Sequence, residues 1–336
     1  MHHFVRLCKT SRFIKTSSLR SRHDWGSWDN RIDFTILLQQ SINYGKPIPK
    51  ISMEMVGQAS VIGRRNTNED RIKVKEILPN LLYIALFDGH GGPLAADFCY
   101  ERLEYYIEYW LRRGENDLEN VLTKSFVAIN NSFAHFITFN WPGNELMYSG
   151  TTATVCLLKN SVELVVAHVG DSRALLCRNA EARKLTFDHN PSSKSEKDRV
   201  LKSGGFIKAM GNGSGLVNGR LAMTRSIGDL DLKPFGVIAH PYTRTEEVKH
   251  RKDSFLLLAS DGVTFALTDQ EIIDCANRCG KTSEAASFIA DQALHYGCED
   301  NASVVIVPFG AWGKPAPSRN VNSFIFGREL GRSNRF

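Results

Sequence analysis

From about residue 51 to 309 the chain alternates short apolar runs with longer amphipathic stretches. The runs 81–87 (LLYIALF), 151–158, 162–169 (VELVVAHV), 173–177, 254–259 (SFLLLA) and 302–307 (ASVVIV) predict strands. Each is partly β-branched or aromatic and is bounded by Gly, Asp or Asn. Helical spacing runs through 93–112, 117–138, 269–279 and 283–296. In the second of these, Leu118, Val121, Leu122, Phe126, Ile129 and Phe133 form one apolar stripe. The runs 162–169 and 173–177 flank Gly170-Asp171-Ser172, which predicts a hairpin. Hairpins combined with long helices indicate an α+β architecture rather than a doubly wound sheet. No GxGxxG follows a strand and no GxxxxGK[ST] occurs, so dinucleotide and P-loop folds lack their fingerprints. The run Gly211-Asn212-Gly213-Ser214-Gly215 is read as a mobile surface loop rather than a phosphate cradle.

The flanks differ from this body. Net charge is +6, from 42 Lys and Arg against 36 Asp and Glu, and six of the basic residues (Arg6, Lys9, Arg12, Lys15, Arg20, Arg22) precede the first acid, Asp24. The remainder is neutral, so the folded body lacks the basic excess of a nucleic-acid binder. A basic, Ser-rich start, acid-free over residues 1–23 and without a 7–15-residue apolar stretch, reads as a mitochondrial presequence, placed at residues 1–30. A lead-in at 31–50 ends in Gly45-Lys46-Pro47-Ile48-Pro49, and a polar tail with Pro315 and Pro317 occupies 310–336. No apolar run approaches the ~18 residues of a membrane span. Seven cysteines form no CxxC pair, which suits a reducing compartment and disfavours zinc. Cys275 and Cys279 are expected to pack.

The candidate chemistry lies where acids follow strands. Asp88 follows LLYIALF and opens Asp88-Gly89-His90-Gly91-Gly92; Asp261 follows SFLLLAS; Asp300 precedes ASVVIV; Glu69 and Asp70 form a further pair. Any one such Asp serves as a turn residue or helix cap. Several at the ends of buried strands would repel and raise one another's pKa values unless cations intervene. An all-oxygen site suits Mg²⁺ or Mn²⁺, and two such ions can activate a water and clamp a phosphoryl group. Spacing alone does not show that these acids converge.

The residues also resemble a known family. Arg65-Asn66-Thr67-Asn68-Glu69-Asp70, Asp88-Gly89-His90-Gly91-Gly92, Ser149-Gly150-Thr151-Thr152-Ala153, Gly170-Asp171-Ser172-Arg173, the run from Gly219 to Asp229, Ser260-Asp261-Gly262 and Glu299-Asp300-Asn301 occur in the order of the motifs of the PPM (type 2C) metal-dependent protein phosphatases. The resemblance spans about 51–309 and implies a central sandwich of two antiparallel sheets flanked by helices. It implies two Mn²⁺ or Mg²⁺ ions, with Asp88 bridging them, the Gly89 carbonyl and Glu69 holding one through waters, and Asp261 and Asp300 anchoring the other. Asp70 would orient this shell, and Asp171 would serve a weaker third ion.

Arg65 would bind the substrate phosphate, rather than the adjacent Arg64, and His90 would protonate the departing serine or threonine oxygen. His168, His189 and His240 are expected to be structural or exposed. Stretches outside the motifs, such as Tyr44-Gly45-Lys46-Pro47-Ile48-Pro49-Lys50 and Pro308-Phe309-Gly310-Ala311-Trp312-Gly313-Lys314, resemble a mitochondrial subgroup of the family. That resemblance implies a matrix enzyme acting on phosphoprotein, with the branched-chain 2-oxoacid dehydrogenase complex as candidate substrate. The alternative is a catalytically inactive binding module of the same fold; such relatives lose an acidic ligand, whereas Asp88, Asp261 and Asp300 are all present here. Two positions depart from the pattern: Thr264-Phe265 stands where many members have Trp-Asp, and His240 where they have Glu.

Overall fold

The computed structural model describes residues 48–140, 145–210 and 214–314. The expected presequence, all but residues 48–50 of the lead-in, and the tail beyond 314 lie outside the described residues, as do positions 211–213 of the glycine-rich run. Two five-stranded antiparallel sheets carry the architecture. One takes β1 (Gly57–Val61), β8 (Arg173–Arg178), β9 (Glu181–Lys184), β14 (Asp253–Ala259) and β15 (Ala302–Pro308), in the order β1-β15-β14-β8-β9. The other takes β2 (Arg71–Leu78), β3 (Leu81–Phe87), β6 (Ala153–Lys159), β7 (Glu163–Val169) and β13 (Tyr242–Glu247), in the order β13-β7-β6-β3-β2. Short strands β4 (Gly89–His90), β5 (Gly150–Thr151) and β12 (Ile227–Gly228) form a three-stranded patch, and β10 (Ile207–Ala209) pairs with β11 (Gly215–Val217). Gly215 is thus a buried strand residue rather than part of a loop.

Why the central strands are apolar on both faces follows from the layers. In β3, Leu82, Ile84 and Leu86 pack between the sheets against Leu176, Leu256, Leu258, Val305 and Val307. The alternate residues Tyr83, Ala85 and Phe87 meet the helices α1 (Leu94–Arg112) and α2 (Leu118–Asn140). On the far side, Phe255, Leu257, Val304 and Ile306 meet α4 (Asp261–Ala266), α5 (Asp269–Asn277) and α6 (Thr282–His295). Helix α3 (Lys194–Lys202) lies apart, with Val200 in a small separate cluster that includes Val217, Leu221 and Met223. A strand covered on both faces loses its polar alternation, which is why the period-2 signal is absent from LLYIALF. The expected α+β sandwich is the observed fold. The stripe from Leu118 to Phe133 is the buried face of α2. Trp312 packs edge-on against Phe255, so contact with the sheet continues past residue 309.

The hairpin expected across Gly170-Asp171-Ser172 does not form. β7 pairs with β6 and β13, whereas β8 pairs with β14 and β9, so the two strands belong to different sheets. Gly170, at φ +103°, turns the chain from one sheet to the other, and a Cβ there would lie 2.5 Å from Thr152 Cγ2. A tight turn between two apolar strands has the same local signature whether the strands pair or cross the core. True hairpins occur at β6–β7 and β8–β9; in the latter, Asn179 and Ala180 both take positive φ, the geometry of a type I′ turn.

Leu258, fully buried between the sheets on the central strand β14, tests this packing. Leu258→Ala should destabilise the protein by about 2–5 kcal/mol in urea unfolding. A loss below ~1 kcal/mol would mean that the interior there collapses around the gap.

Candidate active site

Each of the strand-end acids is delivered to one end of the sandwich. Asp88 follows β3 of one sheet, Asp261 follows β14 of the other, and Asp300 precedes β15. They line a cleft of about 430 Å³ together with Arg65, Glu69, Gly89 and His90. Asp70 lies behind them, 4% exposed. Asp171, on the turn between β7 and β8, is near enough to act on the charges of Asp88 and Asp261.

Backbone bonds explain how the loops hold this arrangement. The Asp88 backbone is clamped by Thr152, whose N–H donates to Asp88 O at 2.9 Å and whose hydroxyl accepts from Asp88 N at 3.2 Å. Thr151 Oγ1 adds a bond to Asp88 O at 3.0 Å. Asn301 pins the Arg65 loop, donating to the carbonyls of Ile62 and Thr67 and accepting from Glu69 N. Glu69 in turn accepts from Gly92 N at 3.2 Å. Gly262 must be glycine for this approach: a Cβ there would lie 2.1 Å from Asn301 O. Asp261 N donates to Asp88 Oδ2 at 3.3 Å, bringing the two sheets together at the site.

The two arginines of the loop separate cleanly. Arg65 reaches Asp300 at 2.5 Å and lines the cleft, whereas Arg64 pairs with Glu299 at 2.6 Å. Arg65 remains 61% exposed and stands beside Asp300, Asp261 and Glu69, which raise its pKa. The acids are under stress. Burial, then the charges of Asp261, Asp70 and Asp171, push Asp88 well above the usual carboxylate range. Burial and Asp261 push Asp171 up to about 7. Burial raises Asp70 to about 6, with Asp261 and Asp300 adding to it and the hydroxyls of Ser303 and Ser260 opposing. These hydroxyls are near Asp70 but engaged elsewhere, Ser303 Oγ donating to Ser60 Oγ and Ser260 Oγ accepting from Ser303 N, so neither Asp70 oxygen meets hydrogen-bond geometry, nor does Asp171 Oδ1.

Unpartnered buried carboxylate oxygens are costly, and a hard divalent cation is the group that satisfies them. Among the described residues, no three His, Cys, Asp or Glu side chains are grouped closely enough to hold an ion by themselves. The carboxylates that line the cleft are hard oxygen donors of the kind Mg²⁺ or Mn²⁺ takes, one or two at a time with water completing the octahedron. The residues therefore fit water-rich sites of this kind and do not fit a closed cage.

His90 lies on β4, and its Nε2 is 2.8 Å from Asp229 Oδ2. Burial works against a charged imidazole there, but the Asp229 charge and hydrogen bond outweigh it and hold His90 above its usual range. Thr151, Thr152 and Asp229 lay within the recognised motifs without an assigned task; their marks in the sequence are TT and GD beside small residues. His168 and His189 are buried and stacked at 5.1 Å, held neutral by desolvation, and His240 is exposed, so none of them joins the site. Cys275 and Cys279 pack against the helical layer over β14 and β15. Phe265, in the Thr264-Phe265 departure, is 78% exposed on α4.

Comparisons with known proteins show which proteins the chain and its fold are similar to. Residues 59–302 match the family model described as protein phosphatase 2C. Over 312 residues the chain is 50% identical to protein phosphatase 1K, mitochondrial, of Xenopus laevis, covering 93% of this chain and 83% of that one. It is 35% identical over 263 residues to protein phosphatase 1L of Bos taurus, covering 74% and 71%. A solved C. elegans sex-determining protein superposes with a TM-score of 0.68 at 26% identity, over 82% of this chain and 70% of that one. A serine-threonine phosphatase 2C from Toxoplasma gondii gives 0.68 at 19% identity, over 78% and 98%, a likeness of fold.

The unpartnered Asp70 yields a pH-dependent prediction. Its folded pKa lies above the unfolded value of ~3.9, so the unfolded chain ionises first as pH rises. The resulting penalty is absent below pH ~4, grows towards pH ~6 and is complete above it. In chelator, Asp70→Asn should melt on the order of a few degrees above the parent at pH 8, with the gap closing near pH 4. A parent that melts higher at pH 8 would show that Asp70 is not an uncompensated charge.

Proposed function

The chain belongs to the protein phosphatase 2C family of serine/threonine protein phosphatases, and we propose that it hydrolyses phosphoserine and phosphothreonine in proteins in a metal-dependent, single-step reaction. The observation that carries this reading is the gathering of Glu69, Asp88, Asp261 and Asp300 with Arg65 and His90 in a single cleft, backed by the buried carboxylates of Asp70 and Asp171, which have oxygens without a hydrogen-bond partner. Asp88, Asp261, Asp300, Glu69 and the Gly89 carbonyl would hold two Mg²⁺ or Mn²⁺ ions, in part through water. Asp70 would orient these groups, and Asp171 would serve a weaker third ion. Bound there, the ions would supply an acidic water and Lewis-acid neutralisation of the phosphoryl oxygens.

The remaining tasks fall to the chain's own side chains. Arg65, at the cleft wall with most of its guanidinium exposed, turns from Asp300 to the substrate phosphate, where its planar fork gives bidentate recognition. His90 donates a proton to the leaving oxygen as the P–O bond breaks. No acidic position expected of an active member is missing, so an inactive binding module has no support among these residues.

The location and substrate are part of the same proposal. The basic, acid-free start of the chain and the mitochondrial name of a 50%-identical relative support a matrix enzyme. The stretches flanking the motifs support the branched-chain 2-oxoacid dehydrogenase complex as the phosphoprotein.

Phosphate release from a phosphothreonine peptide should require Mn²⁺ or Mg²⁺ and stop in chelator. Asp261→Asn should lower kcat by at least ~10²-fold while leaving the fold intact by circular dichroism. Turnover at the wild-type rate in that variant would remove Asp261 from the site. Arg65→Ala should chiefly raise KM for phosphopeptide, which a kcat-only loss would contradict. Release from the phosphorylated dehydrogenase complex should exceed that from an unrelated phosphoprotein at equal concentration; parity would remove the substrate assignment but not the chemistry.

A further inference from the structure

The three-stranded patch of β12, β5 and β4 is too small to stabilise the fold, yet it controls one contact closely. In it His90 pairs with Gly150, and Gly150 pairs with Gly228, one residue before Asp229. The patch therefore carries His90 and Asp229 to either side of Gly150. A Cβ on Gly150 would lie 2.2 Å from Asp229 Oδ2 and 2.4 Å from His90 Nε2. The space left by the absent side chain is where the His90–Asp229 hydrogen bond sits.

Asp229 is itself held in an uncommon state. Its φ is +47°, in the left-handed region that costs non-glycine residues energy. Its N–H donates to Ser149 O at 3.0 Å, and Ser226 Oγ donates to Oδ2 at 2.6 Å. It is 1% exposed, and Arg220 stands 3.7 Å from Oδ1. Burial alone would raise its pKa, but the charge and hydrogen bond of His90, together with Ser226 and Lys233, pull it below the usual carboxylate range. The His90 Nδ1 atom, by contrast, is buried and has no hydrogen-bond partner.

We infer that Asp229 is the positioning residue of the reaction: it takes the Nε2–H bond of His90, fixes the ring's orientation and tautomer, and leaves Nδ1 to carry the proton for the departing oxygen. The inference rests on the reading of His90 as proton donor. In the step itself, the Nδ1–H bond of the imidazolium breaks and the O–H bond of the released serine or threonine forms. His90 is left neutral, with its remaining proton on Nε2 shared with Asp229. An imidazole with only one engaged nitrogen is fixed in tautomer by that engagement. Replacing the carboxylate by an amide that can donate would favour the other tautomer, the mode of failure known when such an Asp is exchanged for Asn in a serine protease. A buried Asp–His pair that merely ties the patch together would not discriminate between substrates by leaving group.

The test compares Asp229→Asn, Gly150→Ala and His90→Ala on a phosphothreonine peptide and on p-nitrophenyl phosphate, whose leaving group needs no proton. Asp229→Asn should lower kcat on the peptide by about 10²-fold with KM within ~3-fold, and lower it on p-nitrophenyl phosphate by less than ~5-fold. Gly150→Ala, which drives a methyl into the hydrogen bond while keeping both partners, should show the same selectivity. Nitrogen-15 spectra of the wild-type Mg²⁺ enzyme, independent of how any variant folds, should show neutral His90 protonated on Nε2. A neutral ring protonated on Nδ1, or equal losses by Asp229→Asn on both substrates, overturns the inference. If His90→Ala discriminates by leaving group and Asp229→Asn does not, only the positioning role fails; if His90→Ala does not discriminate, the proton-donor reading falls and this inference with it.

Discussion

Buried carboxylates brought together at one end of the sandwich repel one another, and that repulsion is the constraint to which this end is built. Asp88, Asp261 and Asp300 come from different strands, with Glu69, Asp70 and Asp171 around them. Nothing in their mutual electrostatics favours the arrangement; burial and like charge raise the pKa of Asp88, Asp70, Asp171 and Asp261 alike. The arrangement is imposed by strands packed on both faces. The terminal positions of β3 and β14 are set by side chains that interdigitate between the sheets, and the turns are locked by Thr152 and Asn301. A fold of this kind stores electrostatic strain where divalent cations can relieve it.

The apolar layers make that possible in a specific way. β3 is buried on both faces, with helices on one side and the second sheet on the other, so its carboxyl end is fixed in three dimensions. β14 and β15 are fixed in the same manner by α4, α5 and α6. The site therefore sits where both sheets end, and neither sheet alone would supply it. Buried ion pairs away from the cleft, such as Arg178 with Asp253 and Glu246, tie a strand of one sheet to a strand of the other. They place charge where partners exist, whereas Asp70 and Asp171, beside the cleft, have carboxylate oxygens without one.

Around this centre the structure grades from buried to exposed. Arg65 is exposed at the cleft wall, and Phe265 projects from α4 at the position where the family pattern differs. The segment containing α3, β10 and β11 has its own small core, centred on Val200 and Val217 and separate from the sandwich.

Much of this was legible in the sequence, and the reasons differ by element. Apolar runs located the central strands because burial on both faces leaves an uninterrupted hydrophobic signature. The stripe of α2 located its buried face by periodicity. The acids at strand ends, read with the ordered motifs, marked the candidate ligands, and Arg65 was separated from Arg64 by spacing. Half-buried edge elements such as β2 and β13 were missed, because their mixed polar and apolar positions carry no strong period. Local sequence determined which segments are apolar, where the turns fall and which residues have the chemistry for metal and phosphate. Only tertiary structure decided that β7 and β8 part at Gly170 into different sheets, that Asp88 and Asp261 meet across the sandwich, and that Gly150 leaves room for His90 to reach Asp229. Each of those depends on distances between residues far apart in the chain, which are set by packing and not by any local preference.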